Sequence, residues 1–290
     1  MLPLPQIHAF MQDLQSGILR QLVELDPDAK HVTDQWQRPG GGGGTSSVLM
    51  DGSLIEKGGV NLSHVFGKAL PASATRGRPE LADRGFEATG VSIVLHPRNP
   101  YVPAAHLNVR FFTTLEEGEG AGTWWFGGGF DLTPCYPFRE DAIAWHRAAR
   151  EACQPFGDDL YPRFKAACDR YFHLPHRGEN RGLGGLFFDD FNELGPEGSF
   201  AFTRSVGSAF LPAWRAIAEK RQHMPWNGEQ KAFQRYRRGR YAEFNLLYDR
   251  GTLFGLQSGG RTESILMSLP PQVDWIYNYS PPEGPPPANL

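Results

Sequence analysis

Across residues 106–110, His106, Asn108 and Arg110 alternate with Leu107 and Val109, and Phe111 and Phe112 follow directly. Side chains of an extended strand point alternately to its two faces. This stretch is therefore expected as a strand with a polar trio on one side and an apolar pair on the other. Such a strand is half buried. Its polar side lines a cleft or, in the plainer reading, faces solvent.

The rest of the chain supplies partners for that strand. Apolar residues at helical spacing (Ile7, Phe10, Met11, Leu14, Ile18, Leu22) predict an N-terminal helical segment within residues 1–30. Residues 46–50 and 54–60 read as two strands divided by the turn signal Asp51-Gly52. Further strands are expected at 90–95, 106–114, 124–130 and 184–188. Helices are expected at 141–152, 160–172 and 200–221. Residues 241–248 and 251–257 read as a strand pair around Asp249-Arg250-Gly251, with a further strand at 265–268. Residues 71–83 read as loop, and 281–290, with their prolines, as a loose tail. Tight turns between strands and grouped helices predict an α+β fold. The sheet is large and mostly antiparallel, flanked on both faces by helices, in a single domain over 1–290.

The formal net charge of −3 gives no electrostatic case for nucleic acid. No apolar stretch approaches the ~20 residues of a transmembrane segment. The first residues show no basic-then-apolar leader. Three cysteines without a C-x-x-C pattern suit reduced thiols in a cytoplasmic protein. The glycine-rich dinucleotide and phosphate-loop motifs, H-E-x-x-H and G-x-S-x-G are all missing. Redox chemistry, if present, lacks an evident nicotinamide or flavin fold. The glycines at 40–44 read as a mobile loop or as a backbone cradle for an anion.

A second block stands out, Trp124-Trp125-Phe126-Gly127-Gly128-Gly129-Phe130-Asp131-Leu132-Thr133-Pro134. Aromatics beside glycines let a large flat ligand lie close to the backbone, with one carboxylate against it. The bland reading of Asp131 is a turn or capping aspartate. His96 precedes His106 across a stiff connection with prolines at 97, 100 and 103. His146 and His176 bring the histidines of interest to four, a possible metal set, although their spacing matches no recognised ligand pattern. Gly259-Gly260-Arg261 offers backbone N–H groups and a guanidinium for a carboxylate or phosphate, with a hairpin turn as the alternative.

At these residues the chain resembles the oxygen-dependent coproporphyrinogen III oxidases. The resemblance runs through residues 40–44, 56–61, 96–110, 124–134, 161–165, 181–190 and 237–271. Ser47 and Phe66 depart from it, at positions where arginine and histidine are usual. The resemblance implies conversion of coproporphyrinogen III to protoporphyrinogen IX in haem synthesis. Two propionates become vinyl groups, with molecular oxygen as co-substrate and no organic cofactor. It implies a homodimer joined through roughly residues 241–275. It places substrate contacts at Ser92, Asn108, Val109, Arg110, Gly259, Gly260 and Arg261, a proton-donor histidine at His106, and an acid at Asp131. In some members a divalent metal is held by four histidines, which here fall on His96, His106, His146 and His176.

On this reading Arg110 and Arg261 pair with propionates. Asp131 accepts pyrrole N–H hydrogen bonds and stabilises charge on the ring. His106 acts as acid or base. Three other readings stay open: a metal-dependent oxygenase, a non-catalytic tetrapyrrole-binding protein, and a sheet-based interaction protein.

Overall fold

The computed structural model describes residues 4–70, 79–81, 83–115, 122–257 and 259–280. The tail expected at 281–290, and most of the loop expected at 71–83, lie outside the described residues. The helix α1 (Leu4–Leu25) is followed by six consecutive strands: β1 (Lys30–Gln37), β2 (Gly42–Met50), β3 (Ile55–Gly67), β4 (Gly85–Pro97), β5 (Ala104–Leu115) and β6 (Trp124–Thr133). Each pairs antiparallel with the next. Helices α2 (Arg139–Cys153) and α3 (Leu160–Tyr171) and a small hairpin, β7 (His173–Leu174) with β8 (Glu179–Asn180), then intervene. The strand β9 (Gly184–Phe191) closes against β6 as the seventh strand of the sheet. The C-terminal helices are α4 (Gly195–Arg221), α5 (Gly228–Leu247), α6 (Arg250–Gln257) and α7 (Thr262–Leu266). The fold is α+β, as expected.

Period-two alternation decides what each face carries. Val91, Ile93, Leu107, Val109, Phe111, Phe126 and Phe130 all reach one side. They pack there under Ile7, Met11 and Ile18 of α1, Phe210 and Trp214 of α4, and Trp145 of α2. Burial of each such side chain contributes roughly 1.5–3 kcal/mol. The opposite face carries Ser92, His96, His106, Asn108 and Arg110, and is covered by α5–α7. Tyr241 of α5 packs edge-on against His96, and Phe254 of α6 against Phe86. Met267, just past α7, fills the space above Gly59, where a Cβ would lie 2.0 Å from its methyl carbon.

Four expectations are corrected. Residues 241–247 and 251–257 are helical, within α5 and α6, and 265–268 spans the end of α7 and the turn after it. The turn signal Asp249-Arg250-Gly251 suggested a strand pair, but an upstream signal wins. Asn227 caps α5, accepting from the N–H groups of Glu229 and Gln230, while the Gln230 side chain accepts from the Asn227 N–H. The glycines at 42–44 are also not a loop; they start β2 and pair with Val65, His64 and Ser63. Their partner across the hairpin, β1, was not foreseen, because its residues are mostly polar and exposed, as suits an edge strand.

Candidate active site

Asn108, the middle of the polar trio of β5, belongs to a row that crosses the sheet. Asp34, Ser46, Asn61, Ser92, Asn108 and Gly129 stand opposite one another on successive strands from β1 to β6. Cross-strand partners share a face, so this row is a continuous polar track. Segment 261–269 lies over part of it. Ser264 Oγ is 2.6 Å from Ser46 Oγ, and Asn61 Nδ2 donates to the Ser264 carbonyl at 2.7 Å. Lys57 Nζ donates to the Leu269 carbonyl at 2.9 Å.

Arg110 sits one step along β5 from the row, opposite Gly127. Its Nη1 donates to Asn108 Oδ1 at 2.9 Å and its Nη2 to Asp189 Oδ1 at 2.7 Å. A Cβ at Gly127 would meet the guanidinium at 2.7–2.8 Å, so glycine there makes the room that Arg110 uses. Asp189 also pairs with Arg250 of α6 at 3.0 Å. Burial pushes the Asp189 carboxyl up, but Arg110 and Arg250 outweigh this and hold it below its ordinary value. At the far end of the row, Arg261 pairs with Asp34 and stands at the residue before α7. Arg110 and the Asp34 that pairs with Arg261 thus stand on strands four steps apart. At ~4.8 Å per step that is about 19 Å between the two strands.

His106 and Asp131 face each other across β5 and β6. His106 Nδ1 lies 2.9 Å from Asp131 Oδ1, and Arg181 Nη2 lies 2.8 Å from both carboxylate oxygens. Arg181 Nη1 donates to Asn245 Oδ1 at 2.8 Å, and its guanidinium lies among the rings of Phe172, Tyr241 and Phe244. Burial alone would raise the Asp131 pKa, but Arg181 and the His106 hydrogen bond bring it below the ordinary value. An ionised Asp131 accepts a hydrogen bond from His106 Nδ1–H, which leaves His106 Nε2 to meet a reacting group.

Asp131 is only 1% exposed and both its oxygens are taken. It therefore presents no face to a ligand, contrary to the expectation that it receives pyrrole N–H groups. Val109 likewise turns its side chain into the core, so only its backbone borders the cleft. Gly259 ends α6 in a left-handed conformation (φ +69°), and the N–H of Gly260 donates to the Gly255 carbonyl at 2.7 Å. The 259–261 segment is thus a helix-to-helix link rather than a hairpin turn.

The four histidines do not fit a shared metal. Among the described residues, no three of His96, His106, His146 and His176 bring ligand atoms together. His96 is buried and donates from Nε2 to the Ser268 carbonyl at 2.9 Å. Burial and the nearby Arg238 keep its pKa well below the ordinary value. His146 on α2 donates from Nε2 to the Leu183 carbonyl at 3.2 Å. His176 is held by Glu243 and by the hydroxyl of Tyr248, each at 2.8 Å.

Arg181, Asp189, Arg250 and Asn245 were not singled out from the sequence, although all four fall in the resembling blocks 181–190 and 237–271. Their partners lie dozens of residues away, and no local spacing signals such pairs.

A family model described as coproporphyrinogen III oxidase matches residues 6–290. With that match over nearly the whole chain, this protein belongs to the coproporphyrinogen III oxidase family.

Proposed function

We propose that the protein carries out the oxygen-dependent oxidative decarboxylation of two propionates of coproporphyrinogen III, giving protoporphyrinogen IX. Each step balances as propionic side chain plus O₂ giving vinyl group, CO₂ and H₂O₂. The observation that carries the reading is the polar row of the sheet, with an arginine near each end and His106 set beside it by a buried carboxylate. Two separated guanidinium groups suit a flat ligand with carboxylates at its rim. Both arginines already pair with protein carboxylates, so a propionate shares each guanidinium rather than meeting a bare charge. Ser92 and Asn108 offer hydrogen bonds between them. His106 Nε2 is the group that moves a proton during the reaction, with Asp131 fixing its tautomer and Arg181 fixing Asp131. An electron-rich pyrrole can react with O₂ directly, so the residues' task is to bind, orient and shuttle protons.

The working form is a homodimer through the region near 241–275. Leu246, Leu247, Leu253, Leu256 and Trp275 are exposed there, a concentration of apolar surface that marks an interaction face. Among the described residues no helix is long and apolar enough to cross a membrane. All three cysteines are free and buried, which suits the reducing cytoplasm.

The test is turnover of coproporphyrinogen III by chelator-treated protein with and without air, read by product mass. Loss of two CO₂ in air alone supports the reading. Turnover restored only by added metal would replace it with a metal-dependent oxygenase. Binding without turnover would replace it with a tetrapyrrole carrier.

A further inference from the structure

On the face of the sheet away from the cleft, His8 of α1, His64 of β3 and Glu87 of β4 meet. His64 and Glu87 share the α1-facing side, since His64 stands opposite Thr89 and Phe66 opposite Glu87. The two imidazole rings lie 4.1 Å apart between centroids. Both point Nε2 at the same oxygen, Glu87 Oε1, at 3.0 Å from His8 and 2.8 Å from His64. One ligand atom from each of the three residues lies within 4.8 Å of the other two.

The cluster is not fully explained as a hydrogen-bond network. His64 makes a hydrogen bond to the carboxylate. His8 Nε2 is buried and close to it, yet lacks the alignment of a hydrogen bond and has no other partner. A buried polar atom without a partner is costly and calls for a reason.

We propose that His8, His64 and Glu87 form a binding site for a divalent transition-metal ion of the Zn²⁺ class, fastening α1 to β3 and β4. Two imidazoles and one carboxylate are a familiar donor set for such a cation. Bonds of ~2.0–2.2 Å place tetrahedral ligand atoms roughly 3.3 Å apart, so the two histidine–glutamate contacts, at 3.0 and 2.8 Å, open by only a few tenths of an ångström to admit the ion. His64 also lines an open groove of about 550 Å³ with Gln12, Gln37 and Gly43. Water entering by that groove completes the coordination. The site uses none of the cleft residues and none of His96, His106, His146 or His176.

The test uses the full chain after chelation, titrated with Zn²⁺ by calorimetry and with Co²⁺ by visible absorption. One equivalent is expected to bind the wild-type protein and to raise its Tm. His8→Ala and His64→Ala should each weaken binding by more than about 10-fold, the least that even an outer-shell partner costs. His176→Ala should bind like the wild type. His8→Gln retains side-chain volume and a hydrogen-bonding group while removing the imidazole, so it reports on binding even where the alanine variant folds poorly. Failure of Zn²⁺ to bind at millimolar concentration overturns the proposal, as does wild-type affinity in both His8→Gln and His64→Ala.

Discussion

Arg181 holds Asp131 through a single nitrogen placed 2.8 Å from each carboxylate oxygen, and both side chains are 2% exposed. A buried pair of this kind fails badly when one charge is removed. Asp131→Asn keeps the shape and an acceptor for His106, but leaves Arg181 uncompensated. The variant should lose about 3–5 kcal/mol of stability by denaturant unfolding. In the folded fraction kcat should fall by about 10²-fold or more, as for loss of a preorganised charge, with KM little changed. Near-normal kcat in folded Asp131→Asn would remove the carboxylate from the mechanism.

Gly127→Ala tests the room left for Arg110. The added methyl group must displace a guanidinium that Asn108 and Asp189 both hold. The fold should persist, since the obstacle is the end of a long side chain. KM should rise roughly 10-fold, the equivalent of about 1.4 kcal/mol in a weakened charge-assisted contact. Unchanged steady-state kinetics would show that the position of Arg110 does not matter to the substrate.

Arg110→Ala and Arg261→Ala separate the two ends of the polar row. If both bind propionates, each raises KM more than it lowers kcat. An unchanged KM in both variants would dismantle the two-ended clamp.

Glu243 gives a pH prediction. Burial pushes its carboxyl up, but Arg177 and His176 prevail and bring it down to about 2 from an ordinary 4.5. A depressed carboxylate contributes stability that is complete above the unfolded-state pKa and lost as pH falls through the folded one. Acid should therefore weaken the wild-type protein progressively from about pH 4.5 toward pH 2. Glu243→Gln should be less stable near neutrality and show a shallower acid limb in urea midpoints measured against pH. Parallel limbs for the two proteins would show that Glu243 is not a source of the slope.

The exposed apolar side chains near the C-terminus make the dimer testable. Leu247 is 56% exposed, so Leu247→Asp disturbs little in the isolated chain. It should shift the protein from dimer to monomer in sedimentation velocity. A dimer of undiminished affinity would place the interface elsewhere.

The sequence carried the sheet well where burial is one-sided. In β5 the alternation of His106, Asn108 and Arg110 with Leu107 and Val109 is visible in five residues, and the structure keeps that division. It carried β1 poorly, because an exposed edge strand has no apolar face to betray it. Residues 241–248 misled because Asp249-Arg250-Gly251 reads locally as a tight turn between strands, while the capping box that starts their helix lies 14 residues before Tyr241. Within the candidate site, His106, Asp131 and Arg110 were legible from local composition. Their roles depend on Arg181, Asp189 and Asn245, which reach them only through tertiary packing, and pairings across such distances leave no local pattern.

The order of strands in the sheet gives the site a history during synthesis. The first six strands are successive neighbours, so the floor with Ser92, Asn108, His106 and Arg110 can assemble as the chain emerges, through contacts of modest sequence separation. Arg181, Asp189, Asn245 and the covering segment at 261–269 all follow. A chain halted after β6 would hold an open trough whose histidine and carboxylate lack their anchoring cation. Competence for chemistry thus arrives with the last third of the polypeptide, after the surface that would receive the substrate already exists.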